Sequence, residues 1–509
     1  MNGTQMGRGQ KALRNVTTGL VNKALLMLLS FATRTVFIRL LGAEYTGVSS
    51  LYGNILSVLS LAELGVGNVM MFYLYAALKR GDEGKIAALV GEFRRIYRGI
   101  AACVLGVGLA LVPFLPYILN SELNRRELTL YYLLYLFNSA ASYFVVYRTT
   151  VLGADQRGYL SNITGTVMTA VKYALQIGYL LLFRNFLGYL LIELGTTVAG
   201  NLILNGIALH TYPYLRHLPR GTPDRAFRRD LFRNVKATFL FKVSDTVLDQ
   251  TDSILISLFF GARTVGYYTN YFLIVRYLTN IGGIIASGMT SSFGSLNAEG
   301  DPDRSRRMFD CLRLLFSVMA AYCIACFAAV VQDFIPIWIG AEYRMGPDLI
   351  AALLLVFYVR MVMNPVTIYR ATLGLFREVQ YINLIAAALN LVLSVLMGLR
   401  FGTAGIVAAT ALARLASSFW YEGRAVCRRL AIAPRTWLIG QLCDLLRTAA
   451  IAALSLLCCA FVPLSGIPAI AVKLVICTLI TGALELAFHA RSEAFRTLLQ
   501  QLGRLRNRG

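Results

Sequence analysis

The chain has 509 residues, 57% of them hydrophobic and only 15% charged, with a mean hydropathy of +0.61. A soluble domain carries about 25% charged residues, so the composition excludes a soluble globular protein and calls for a polytopic membrane chain. The formal net charge of +23 would point to nucleic acid in a soluble protein; here no soluble basic domain exists to bind it, the bases belong beside anionic lipid, and no nucleic-acid partner is expected.

Arg8, Lys11 and Arg14 precede an apolar run that reaches Leu41 and carries Lys23, Arg34 and Arg39. With no small-residue cleavage site, it reads as a retained first transmembrane helix rather than a signal peptide. Apolar runs long enough to cross a bilayer, about 20 residues each, predict fourteen spans. The first six cover 16–41, 47–76, 97–119, 128–152, 161–183 and 186–210. Six more cover 237–260, 265–290, 310–332, 347–373, 380–399 and 402–422, and two follow at 441–463 and 467–489. Loops 77–96, 211–236, 291–309 and 423–440 are basic, as is the tail 490–509, whereas the intervening loops are short. The positive-inside rule then places both termini in the cytoplasm.

A repeat runs at an offset of 219 residues: Gly42-Ala43-Glu44-Tyr45-Thr46-Gly47 lines up with Gly261-Ala262-Arg263-Thr264-Val265-Gly266, Tyr52 with Tyr271, and Gly81-Asp82 with Gly300-Asp301. Tyr147-Arg148-Thr149-Thr150 matches Tyr369-Arg370-Ala371-Thr372 after three inserted residues. Six spans separate the copies, so the halves share one orientation. The expected fold is all-α: two six-helix bundles (1–210 and 237–422) related by a parallel pseudo-two-fold repeat, a basic cytoplasmic linker (211–236), two extra helices (423–489) and a basic tail (490–509).

Charged residues inside spans are expensive, at about 2.5–3.5 kcal/mol each near the bilayer centre, and so mark a bundle interior or a watery cavity. The seventh span, FLFKVSDTVLDQTDSILISLFF, carries Lys242, Asp245, Asp249 and Asp252 at steps of three, four and three residues, which is one helical stripe. Clustered carboxylates repel, so a proton, a Na⁺ ion or a neighbouring base must neutralise them; Glu63 in the second span can join that arrangement. The basic residues Lys23, Arg34, Lys172, Arg276 and Arg360 are suited to an anionic group in the cavity, Arg by its planar fork and Lys as a point charge. The competing reading for each is snorkelling or a structural ion pair, above all for Lys23, Arg39, Arg148 and Arg370 near helix ends. Nine cysteines lie almost wholly in apolar segments, and Cys323-x-x-Cys326 has no second pair or histidine beside it, so they read as small buried hydrophobes; no metal site and no cofactor beyond the coupling ion is expected.

The pattern Arg39-Leu40-Leu41-Gly42-Ala43-Glu44-Tyr45-Thr46-Gly47, the following Leu61-Ala62-Glu63-Leu64-Gly65-Val66-Gly67 and the Tyr-Arg-x-Thr closing spans four and ten resemble the polysaccharide-export branch of the multidrug/oligosaccharidyl-lipid/polysaccharide exporter superfamily. The six-plus-six arrangement covers residues 1–422, and the two extra spans are similar to those of lipid II flippases. The resemblance implies a flippase of the plasma membrane that moves an undecaprenyl-pyrophosphate-linked oligosaccharide by alternating access, alongside other polysaccharide-assembly proteins. It also implies that the last two helices line a groove for the polyprenyl tail. Two alternatives stand beside it. A drug/cation antiporter of the same fold would favour acids over bases in its interior. A polytopic glycosyltransferase or polymerase would need an outer catalytic loop, and the longest outer loop, 120–127, is too short, so no enzyme is expected.

Overall fold

The computed structural model describes residues 8–63, 66–219, 229, 246, 248, 250–298, 301–490, 492 and 495–496. All regular structure among them is helical. The chain divides into two compact units, Met1–Thr246 with Gly261–Gly266, and Val247–Phe260 with Tyr267–Gly509.

In the first unit, α1 (Arg8–Leu59) joins two helical segments across Gly42, whose φ of 86° and ψ of −176° are open to glycine and strained for other residues. The expected spans 16–41 and 47–76 therefore meet at that residue. A 3-10 turn, Ser60–Glu63, leads to α2 (Val66–Arg80). Then come α3 (Glu83–Leu111), α4 (Leu115–Leu119), α5 (Arg125–Ala141), α6 (Val146–Ala154), α7 (Gly158–Phe183) and α8 (Phe186–Thr211). Asp82 starts α3 by accepting the Lys85 N–H at 2.9 Å, and Asn124 caps α5 in the same way from Arg126. The core is aromatic: Tyr52 and Tyr132 are fully buried with ring centroids 5.5 Å apart. Their hydroxyls donate to the carbonyls of Leu128 (2.7 Å) and Gly108 (3.0 Å), so neither phenol oxygen is left without a partner in an apolar bundle.

A helical stretch over 250–260 (α9) opens the second unit; Gly261 (φ 84°) follows, and α10 (Ala262–Ala298) belongs to the second unit from Tyr267 onward. Gly261 takes nearly the backbone angle of Gly42, the glycine with which it aligns. Asp301 caps α11 (Pro302–Trp338) through the Arg304 N–H at 3.0 Å, the counterpart of the Asp82 cap. Next are α12 (Pro347–Val362) and α13 (Asn364–Thr372), separated near Pro365, which cannot donate to the helical ladder. α14 (Phe376–Ala416) breaks at Gly402 (φ 63°) and folds back, so that Ser394 reaches the carbonyl of Ile406 at 3.5 Å. α15 (Ser418–Arg429), α16 (Pro434–Ala460) and α17 (Gly466–His489) complete the unit.

Nine helices among the described residues are long and apolar enough to cross a membrane, or ten when Arg125–Phe144 and Val146–Ala154, bent by 51°, form one span. The outward faces of α7 and α8 expose Leu182, Phe183 and Leu202, as lipid contact requires. The protein is a multi-pass membrane protein.

The appended helices α16 and α17 pack on α11. The seam is made of small side chains, Ala321, Ala325 and Ala329 of α11 against Ile451, Cys459 and Cys477, which lets the backbones approach closely. A buried ion cluster fastens it: Arg447 lies 3.2 Å from both Asp444 Oδ1 and Glu485 Oε1 and donates to Ser317 Oγ at 2.6 Å, with His489 beside it. Removing one partner from such a cluster costs about 3–5 kcal/mol because the others stay buried. Arg447→Leu should accordingly lower the melting temperature in detergent markedly. Adding Glu485→Leu should recover part of the loss. An unchanged melting temperature in the single variant would show that the cluster does not hold the hairpin.

Candidate functional site

Two polar sites lie inside these apolar bundles, one in each unit. In the first unit, α7 packs against both α1 and α8. Lys172 of α7 faces Glu193 of α8, Nζ to Oε1 3.5 Å, and each side chain is about one quarter exposed (24% and 23%). The contact is longer and wetter than a structural pair such as Arg370–Glu422, where Nη1 reaches both carboxylate oxygens at 2.7 and 2.8 Å and Glu422 is 3% exposed. Arg34 of α1 is half-buried, and it shares electrostatic reach of the Tyr135 and Tyr189 hydroxyls with Glu193. Tyr135 is fixed by Ser49 at 2.6 Å. Beside Lys172 a cavity of about 180 Å³ opens between α7 and α8, lined by Thr164, Thr169, Thr196, Thr197 and Asn201. Hydroxyls and an amide next to an ammonium can bind a poly-oxygenated, anionic group.

In the second unit, Asp252 of α9 is 6% exposed and accepts from Thr410 Oγ1, which lies 2.9 Å from both carboxylate oxygens. Asn390 Nδ2 donates to Thr410 Oγ1 (2.9 Å) and Ser394 Oγ (3.2 Å), and Thr251 Oγ1 donates to Asn390 Oδ1 (3.3 Å). Asn390, Ser394 and Thr410 are all buried. The fold-back at Gly402 creates this site, since it brings Asn390 and Ser394 on one limb of α14 against Thr410 on the other. One carboxylate among hydroxyl, amide and carbonyl oxygens is a donor set for a hard, singly charged cation or a proton.

The remaining candidates scatter. Lys23 lies within α1, but its side chain is outside the described residues, as are Lys242, Asp245 and Asp249. Glu63 closes the 3-10 turn and hydrogen-bonds Tyr143 in the first unit. Arg276 is exposed on α10, and Arg360 is half-buried on α12. Among the described basic candidates, Lys172 pairs with Glu193, and Arg34 acts on the same Tyr135 and Tyr189 hydroxyls that Glu193 reaches. Among the described residues no group of three metal-ligating side chains occurs, and Cys323 and Cys326 are half-buried free thiols on α11. Sequence reasoning missed Glu193, Asn390, Ser394 and Thr410. Glu193 is a single acid in an apolar run, which signals function only once its partner is known, and the other three are uncharged residues that carry no charge signal inside a span.

Residues 195–346 match a family model described as "Polysaccharide biosynthesis protein". A comparison with curated proteins finds no match. Among solved structures, the lipid II flippase MurJ in its inward closed conformation aligns with a TM-score of 0.64 at 12% identity, over 92% of this chain and 98% of that one. An inward-facing multidrug resistance MATE family transporter of the MOP superfamily aligns with a TM-score of 0.60 at 15% identity, over 80% of this chain and 95% of that one. A MATE transporter of Vibrio cholerae aligns with a TM-score of 0.51 at 14% identity, over 80% and 93%. The chain thus has the fold shared by these transporters.

Proposed function

We propose that this protein is a flippase of the plasma membrane that moves an undecaprenyl-pyrophosphate-linked oligosaccharide by alternating access. The observation that carries the reading is Lys172, loosely paired with Glu193 and set beside a threonine-lined cavity inside apolar helices. A pyrophosphate supplies the anion, its sugars supply hydroxyls for Thr and Asn, and its prenyl chain stays in hydrocarbon. The extent of the fold match supports it: the alignment with the lipid II flippase covers 92% of the chain, more than residues 1–422 can supply, and so includes part of the appended helices. The MATE alignments leave a cation antiporter as the second reading, since a buried carboxylate such as Asp252 also suits a cationic substrate. The proposal includes fourteen spans, cytoplasmic termini, α16 and α17 as the wall of a groove for the prenyl tail, and Na⁺ or proton coupling at Asp252.

Reconstituted into proteoliposomes, the protein should translocate a fluorescent lipid-linked sugar. Transport of a cationic dye with no movement of the lipid-linked sugar would favour the antiporter instead. In the same assay Lys172→Gln should slow flipping by roughly 10–100-fold, the loss of a charge-assisted contact, while Lys172→Arg retains most activity. Equal rates for Lys172→Gln and the parent would remove Lys172 from the substrate site.

Coupling is tested separately. Asp252→Asn keeps the hydrogen bond from Thr410 and discards the charge, so flipping should no longer respond to an imposed Na⁺ or proton gradient. A variant whose response matches the parent would place coupling elsewhere.

A further inference from the structure

The second unit holds a cavity that the proposed transport sites do not use. At the N-terminal ends of α11 and α16 a space of about 420 Å³ is lined by Arg306, Asp310 and Arg313 on one side and by Thr436, Trp437 and Gly440 on the other. Steps of four and three residues set the three charged side chains on one face of α11. Arg313 is held in place, its Nε 3.7 Å from Asp444 Oδ2 and its guanidinium lying over Gly440, where a Cβ would collide with it. Glycine at 440 is therefore what lets the cation lie against the α16 backbone at the cavity wall.

Two further observations identify what the cavity would hold. Trp437 is 3% exposed, yet its indole Nε1 has no hydrogen-bond partner among the described residues. Buried donors are almost always paired, so this N–H calls for an acceptor oxygen that no described residue supplies. Next to the cavity, α16 turns Leu438, Ile439, Leu442 and Leu446 outward, from 41% to 62% exposed. Arg428, Arg429 and Arg435 are exposed in the adjoining segment. Basic pockets at the ends of spans are sites for anionic lipid.

We propose that this cavity binds the phosphodiester head group of an anionic membrane phospholipid. Arg306 and Arg313 take the phosphate oxygens, Arg313 with its planar fork. The Trp437 N–H donates to a phosphate or glycerol oxygen, and the acyl chains run down the apolar face of α16. Free phosphate would satisfy the arginines and leave that apolar face unused. Asp310 also lines the cavity, but Arg306 and Arg313 with the exposed Arg428, Arg429 and Arg435 leave its surroundings net positive, which favours an anionic over a zwitterionic head group. The site is independent of the transported substrate, and its test reads no transport.

The full chain carrying Trp338→Phe and Trp420→Phe keeps Trp437 as its single indole. In phosphatidylcholine vesicles, brominated phosphatidylglycerol should quench Trp437 at a mole fraction roughly tenfold lower than brominated phosphatidylcholine requires. Arg306→Gln, on an exposed side chain, and Arg313→Lys, which keeps the charge facing Asp444, should each weaken that preference severalfold and leave quenching by phosphatidylcholine unchanged. Equal quenching by the two lipids would overturn the proposal. Displacement of brominated phosphatidylglycerol by millimolar inorganic phosphate would also overturn it, by assigning the cavity to free phosphate.

Discussion

The cost of charge in hydrocarbon organises this molecule. Water is absent from the bilayer core, so a charged side chain there must find a counter-charge, a cavity or the interface. The observed pairs fall into two kinds. Arg370–Glu422, Arg447 with Asp444 and Glu485, and Lys473–Asp333 tie helices of the second unit together. Arg370–Glu422 and the Arg447 cluster are deeply buried, and their geometry leaves little room for anything else. Lys172–Glu193 is looser, partly wet and borders a cavity. A pair that opens to accept another anion must have an intermediate strength, which is what the proposed role of Lys172 requires.

Neutral polar residues solve a different problem. Asp252, Thr410, Asn390 and Ser394 form a connected set of hydrogen bonds in which the donors are hydroxyls and an amide. Hydroxyl rotors can reverse their direction at small cost, so the same atoms can donate to a carboxylate or turn lone pairs toward a cation. The backbone makes this possible. With a helical residue at 402, α14 would run straight and Asn390 and Thr410 would lie far apart; with glycine at φ 63° the chain returns and the two limbs share one site.

Much of the architecture was legible because hydropathy and glycine act locally. The breaks expected near residues 42, 261 and 402 are glycine positions with positive φ, and the aligned caps Asp82 and Asp301 follow from N-cap chemistry that spans three residues. The expected basic loops 77–96 and 291–309 fared less well: α2 runs to Arg80, α3 starts at Glu83, and α10 and α11 likewise extend well past their apolar stretches. Charge limits how far a helix can sit in lipid, and it does not end the helix. The site was legible only in part, since pairing depends on distant segments. Lys172 stood out as a lone cation, whereas its partner on the next helix and the hydroxyls around it required the tertiary packing. The seventh-span stripe, the strongest single signal in the sequence, is described at Asp252 alone among its four charges.

The same logic explains how the appended hairpin is held within its unit. Its contacts with α11 are polar at both ends and small in the middle: the Arg447 cluster at the centre of α16 and the end of α17, Lys473–Asp333 at the opposite end, and the alanine–cysteine seam between. Two ionic anchors separated by a close-packed seam resist both sliding and rotation, because either motion would pull a buried charge from its partner. The hairpin must then move with α11 as one body. Its other face exposes apolar side chains such as Leu457 and Leu479. An apolar outer face of this kind costs the protein little to expose in a membrane, because hydrocarbon replaces the contacts that water would deny it.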